Sequence, residues 1–169
     1  MSAVKPYAVT FVCLGNICRS PLGEAVFKKL VRQAGREAEF QIESAGLGGW
    51  HVGQPPDSRS QIIARQHGIV LESTAQQFHP RDLERFDLIL ALDHDIFNGL
   101  RRMAGDTPAR QKIHLLRAAD PQARANLDVP DPYYGDLSDF ESAYQLIERS
   151  CRAWLERLPQ QNPSSLAGE

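Results

Sequence analysis

The sequence predicts a single α/β domain of three layers, a four-stranded parallel sheet with helices on both faces. Three observations predict it. Strand-like and helix-like segments alternate along the chain, and one run, FDLILAL at 86–92, is apolar almost throughout, as a parallel strand covered on both faces has to be. A chain of 169 residues is also long enough for one core without metals or disulfides. No internal repeat or second domain interrupts the pattern. The domain is expected to span residues 1–158, with PQQNPSSLAGE at 159–169 as a flexible C-terminal tail.

The run YAVTFVC, from Tyr7 to Cys13, is β-branched and aromatic, which predicts a buried first strand. It breaks at the glycine-containing LGN, and Pro21 opens a helix whose Leu22, Val26 and Leu30 repeat every four residues until Gly35. A second strand is expected near Glu39 to Ser44. AGLGG and GQPPD then predict an irregular surface loop, and Asp57 or Ser58 caps a helix that Gly68 ends. After the apolar strand at 86–92, Ile96, Phe97, Leu100 and Met103 form a helical stripe, and KIHLL at 112–116 reads as the last strand. Ser138 and Glu141 suggest a capping box for a final helix, with Phe140, Tyr144, Ile147, Cys151, Leu155 and Leu158 on its apolar face.

The net charge is −2 and no block of Lys or Arg stands out, so neither nucleic acid nor a membrane surface is an expected partner. The first residues, MSAVKPYAVTFVC, have no secretory-signal pattern, and three cysteines make an odd set for a secreted disulfide framework. A cytoplasmic protein with reduced thiols is the expectation.

Cys13 and Arg19 enclose five residues, LGNIC. That spacing arises in about one shuffled chain in four, so position decides its meaning. Here it lies where a buried strand ends and a helix begins, with Gly15 and Asn16 tolerant of unusual backbone angles. Such a segment can curl its backbone N–H groups into an anion-binding nest, and the helix N-terminus adds positive potential. A phosphate-binding loop after the first strand is therefore expected. The same field suits an anionic sulfur, making Cys13 the candidate nucleophile, and the fork of Arg19 suits two phosphate oxygens.

VCLGNICRSP at 12–21 resembles the signature of the low-molecular-weight protein tyrosine phosphatases. ESAG at 43–46, GGWHVG at 48–53, QHGI at 66–69 and DPYYG at 131–135 resemble further segments of that family, in the same order. The resemblance implies hydrolysis of phosphotyrosine in proteins through a phosphocysteine on Cys13, with phosphate bound in the loop and no metal or organic cofactor. It implies Asp131 as general acid and then base, and Asp131 is also held between Pro130 and Pro132, which stiffen the local backbone. Leu14, Gly15, Asn16, Ile17, Cys18 and Ser20 would form the loop, with Ser20 bonding the Cys13 sulfur. Trp50, Tyr133 and Tyr134 would wall a slot for the phenyl ring. Asn16, Ser44 and His67 are implied to hold the loop in shape. Asp93, at the carboxyl edge of the apolar strand, either supports the loop or caps a helix. For Cys18 the resemblance implies a thiol that can pair reversibly with Cys13; simple packing is the alternative.

Three other functions fit parts of this pattern. Arsenate reduction on a related fold needs two further cysteines, and only Cys151, on an apolar helix face, is available. Phosphoarginine hydrolysis goes with Thr in relatives where this chain has Ile17. A non-catalytic phosphate-binding module would be expected to lack Cys13, Arg19 or Asp131, and all are present.

Overall fold

The structure is a computed structural model that describes residues 5–159. Its four strands are β1 Tyr7–Cys13, β2 Phe40–Gly46, β3 Leu88–Ala91 and β4 Ile113–Leu115, all parallel, in the order β2-β1-β3-β4. The helices are α1 Arg19–Gln33, α2 Ser58–Gln66, α3 Asp82–Arg85, α4 His94–Ala104 and α5 Leu137–Arg157. The expected three-layer fold is therefore the one observed, and the residues of the expected tail from 160 onward lie outside those described.

Strand alternation builds two cores, one on each side of the sheet. Val9, Phe11, Leu88 and Leu90 face the layer of α1 and α5, packing with Leu22, Phe27, Phe140 and Ile147. Ala8, Val12, Ile89 and Ala91 face the opposite layer, with Phe78, Leu83, Ile96 and Leu100. Burial on both faces explains why β3 is apolar at every position. β1 pairs with β2 on one side and β3 on the other, so the chain order reverses direction there. Parallel sheets bind ligands at such a reversal, beyond the carboxyl ends of the strands, and the loop after Cys13 occupies that place.

Several boundaries differ from expectation. α1 starts at Arg19, two residues before Pro21, so Arg19 itself is helical. β2 continues to Gly46, and β3 leaves out Phe86, Asp87 and Leu92 at its ends. The short helix α3 was not foreseen. At α2 the cap is Asp57, whose carboxylate accepts from the Arg59 N–H. The capping box of α5 is not Ser138 with Glu141 but Asp136 with Asp139, two residues earlier. The physical reason is visible in the partners: the Asp136 carboxylate accepts from both the N–H and the hydroxyl of Ser138, while Glu141 is bound to His67.

One buried ionic cluster ties α5 to the segment after β4. The Asp120 side chain is fully buried and accepts from Arg149, Arg117 and the Gln122 N–H. Burial alone would raise its pKa, but these hydrogen bonds outweigh burial and hold the carboxyl down to about 2. A depressed carboxylate contributes stability above its unfolded value of about 4 and loses that contribution as pH falls toward about 2. Asp120→Asn is therefore expected to cost about 2–3 kcal/mol at pH 7, with the gap from wild type closing near pH 2. Urea midpoints across that pH range measure it.

Candidate active site

The loop from Cys13 to Ser20 joins β1 to α1 and is almost entirely buried, although Leu14 is nearly half exposed. Asn16 is the single non-glycine residue with positive φ among those described, at +59°, a conformation Asn adopts more readily than most. Its side chain explains how it is kept there. Asn16 Nδ2 donates to Ser20 Oγ at 2.7 Å and to Ser44 Oγ at 3.0 Å, and Oδ1 accepts from the Gln76 N–H at 3.0 Å.

Proton directions along this network are fixed from its far end. Glu24 is buried, and its Oε1 accepts from Ser44 Oγ at 2.6 Å, so the Ser44 hydroxyl is used as donor there and accepts from Asn16. Ser20 Oγ also accepts from Asn16, which leaves its one proton for Cys13 Sγ at 2.9 Å, the nearer of two acceptors, or the Ala45 carbonyl at 3.5 Å. The network thus presents a hydroxyl donor to the sulfur, suited to stabilising a thiolate.

Gly46, at the end of β2, lies directly against this loop. A Cβ there would come within 2.9–3.0 Å of backbone atoms of Leu14, Gly15 and Asn16, so only glycine lets the strand approach so closely.

Arg19 is 2% exposed. Its Nη1 donates to Asp93 Oδ2 at 2.7 Å and to the Val129 carbonyl at 2.8 Å, which fixes the plane of the guanidinium. Burial would lower its pKa, but Cys13, Asp93 and Asp131 raise it further than burial lowers it, so the group stays charged. The Nε and Nη2 donors bond no other described residue, and Nη2 lies 3.7 Å from Asp131 Oδ2. Asp93 also accepts from the Ile96 N–H, so it both supports Arg19 and caps α4. The two alternatives left open by the sequence are both true.

Asp131 arrives from the far side on the loop between β4 and α5. Its Oδ1 accepts from the Tyr133 N–H at 3.1 Å. Together with Cys13, Leu14, Gly15, Ile17, Cys18, Arg19, Trp50, His51, Tyr133 and Tyr134, it lines a cavity of about 240 Å³. Trp50 and Tyr134 are largely exposed and form the rim, and the rings of Tyr133 and Tyr134 meet edge to face at 4.9 Å. The Trp50 ring folds over Gly48, where any Cβ would collide with it.

His67 corrects an expectation. Its ring stacks on Tyr144 at 3.9 Å and bonds Glu141 at 2.6 Å, joining α2 to α5 without contacting Asn16 or Ser44. Glu24 and Gln76 instead complete the network. His51, which lines the cavity, and Ser60, which bonds the Cys18 carbonyl, were not singled out either, and Asp57, expected only as a helix cap, also donates its N–H to the Ile17 carbonyl.

Cys18 is buried in the same loop as Cys13. Burial, then the nearby charges of Asp57, Cys13 and Asp131, push its thiol up to about 12, so it is protonated at neutral pH. Cys13, Cys18 and Cys151 are all free, and burial pushes the Cys151 thiol up as well. Among the described residues no group of three His, Cys, Asp or Glu is placed to hold a metal ion, and no helix is long and apolar enough to cross a membrane.

The class this defines is a parallel α/β protein with a buried Cys–Arg loop at the sheet's reversal point, opening into an aromatic-rimmed slot. The sequence model of the low molecular weight phosphotyrosine protein phosphatases matches residues 8–164. The human low molecular weight phosphotyrosine protein phosphatase is 44% identical over 151 residues, covering 89% of this chain and 94% of that protein. Among solved structures, a protein tyrosine phosphatase from Entamoeba histolytica with Hepes in its active site superposes with a TM-score of 0.86 at 32% identity, covering 89% of this chain and 96% of that one. A Drosophila arginine phosphatase superposes at 0.83 with 33% identity, covering 91% and 99%. The chain belongs to the low-molecular-weight phosphotyrosine protein phosphatase family, a family of phosphoric monoester hydrolases.

Proposed function

We propose that the protein hydrolyses phosphotyrosine in proteins, and small aryl phosphates, in two steps through a phosphocysteine on Cys13. One observation carries the reading: Cys13, Arg19 and Asp131 line a single cavity that Trp50, Tyr133 and Tyr134 rim with aromatic surface. A phosphoryl group seated in the loop meets backbone N–H groups and the free Nε and Nη2 donors of Arg19. The phenyl ring then extends outward between Leu14, Ile17 and the aromatic rim.

In the first step the Cys13 thiolate attacks phosphorus. The S–P bond forms, the P–O ester bond breaks, and Asp131 transfers its proton to the departing phenolic oxygen. Because Oδ1 is held by the Tyr133 N–H, Oδ2 is the oxygen that carries this proton. In the second step the Asp131 carboxylate takes a proton from water, whose oxygen attacks the phosphocysteine. Phosphate and thiolate leave, with Ser20 donating to the returning sulfur. These steps draw on no metal or organic cofactor. The reading assigns the enzyme to the cytoplasm, where its three thiols stay reduced.

The similarity to an arginine phosphatase makes phosphoarginine the alternative to test. Ile17, an aliphatic wall of the slot, favours an aromatic substituent on the phosphate. Turnover of matched phosphotyrosine, phosphoserine and phosphoarginine peptides is expected to favour phosphotyrosine by at least about 10²-fold. Preference for phosphoarginine would reassign the substrate while leaving Cys13 and Arg19 in their roles.

A further inference from the structure

We propose that Arg59 is a positioning residue for the acid, clamping the turn that holds Asp131 onto the segment that holds the phosphate loop. This rests on reading Asp131 as the acid.

The turn has two ends. Upstream, Val129 is fixed by its N–H to the Leu92 carbonyl at 2.8 Å and by its own carbonyl to Arg19. Downstream, the Gly135 N–H closes the turn on the Pro132 carbonyl, and Arg59 Nη1 donates to the Gly135 carbonyl at 3.1 Å. The guanidinium also lies 5.7 Å from the centroid of the Tyr133 ring and 4.4 Å over Phe140, which is fully buried and gives it a fixed platform. Tyr133 is the residue whose N–H holds Asp131 Oδ1. Arg59 therefore grips the turn both at its end and at the residue that orients the carboxylate.

Its other grip is on the loop's side. Asp57 takes Nε and Nη2 of Arg59 at 3.0 and 2.9 Å. Two bonds fasten that same short segment to the phosphate loop: the Asp57 N–H donates to the Ile17 carbonyl at 2.8 Å, and Ser60 Oγ donates to the Cys18 carbonyl at 3.1 Å. The distance from the phosphate to the acid is thus set through residues 57–60. Pro132 is buried, but the Asp131 side chain is 43% exposed, Tyr133 37% and Tyr134 95%, so packing holds the turn at one point and leaves the carboxylate and both rings to be placed by hydrogen bonds and ring contacts. Without Arg59 the turn loses its one hydrogen bond from the segment at 57–60 and keeps Val129, the buried Pro132 and its run into α5.

A misplaced acid slows the expulsion of poor leaving groups and spares good ones, whereas a merely structural defect slows all alike. The experiment measures kcat/KM, which reports phosphocysteine formation, for aryl phosphates from 4-nitrophenyl to phenyl phosphate. Wild type, Arg59→Met, Asp57→Asn and Asp131→Ala are compared, with inhibition by inorganic phosphate as a check on the loop. Arg59→Met is expected to lose about tenfold or more on phenyl phosphate and under about threefold on 4-nitrophenyl phosphate, with phosphate inhibition unchanged. Asp57→Asn, which loosens the grip without touching the turn, is expected to shift the series in the same direction by less.

Equal loss across the series, or none, in both variants would overturn the proposal. If Asp131→Ala steepens the series and the Arg59 and Asp57 variants do not, this inference alone fails. If Asp131→Ala keeps the wild-type slope, the acid assignment fails and takes the inference with it.

Discussion

Cys13→Ser is expected to lower turnover of a phosphotyrosine peptide by at least about 10⁴-fold while inorganic phosphate still binds. A serine hydroxyl at this position stays protonated and is a far weaker nucleophile than a thiolate. Nothing else that cradles phosphate is altered: Arg19 keeps its bonds to Asp93 and Val129, and Asn16 keeps the loop in its positive-φ conformation. Phosphate titration of the variant measures the retained binding, and peptide turnover measures the loss. Undiminished turnover would remove Cys13 from the nucleophile's role, and loss of phosphate binding would make its part structural.

Asp131→Ala is expected to lower kcat/KM for phenyl phosphate by about 10²–10⁴-fold, again with phosphate binding retained. The carboxyl sits above the loop, with Oδ2 3.7 Å from Arg19 Nη2, and contributes no hydrogen bond to the loop's own framework. On the proposed mechanism its removal takes away the proton donor and leaves the loop's hydrogen bonds in place. Steady-state kinetics on phenyl phosphate beside phosphate inhibition separate the two possibilities, since an equal loss of both would mean that Asp131 shapes the loop.

The placement of Cys13 and Arg19 in one loop was legible because it coincides with a local structural event, the passage from an apolar strand through Gly15 and Asn16 into a helix. The two-faced sheet was legible for a similar reason, since burial on both sides writes itself into Leu88–Ala91 residue by residue. Asp131 needed its flanking prolines and the family resemblance, because an Asp in a loop has no periodic signature. What stayed hidden depends on contacts distant in sequence. Glu24 meets Ser44 across 20 residues, Arg59 meets Gly135 across 76, and His67 meets Glu141 across 74. On sequence alone Glu24 is one more charge on a helix, and His67 one more residue near a helix-ending glycine. The misplaced capping box has the same origin: Ser138 and Glu141 had the right spacing, but Asp136 offers an acceptor two residues earlier and Glu141 has a tertiary partner.

The central claim is that phosphate passes through a covalent bond to Cys13. Rapid quench of the enzyme in alkaline denaturant during turnover of a phosphoryl-labelled aryl phosphate, followed by peptide mapping at alkaline pH, tests it most directly. The account predicts label that survives alkali and is released in mild acid on the peptide that contains Cys13, and none on Cys13→Ser. Label on any other residue, or full turnover with no protein-bound phosphoryl group at any time, would contradict it.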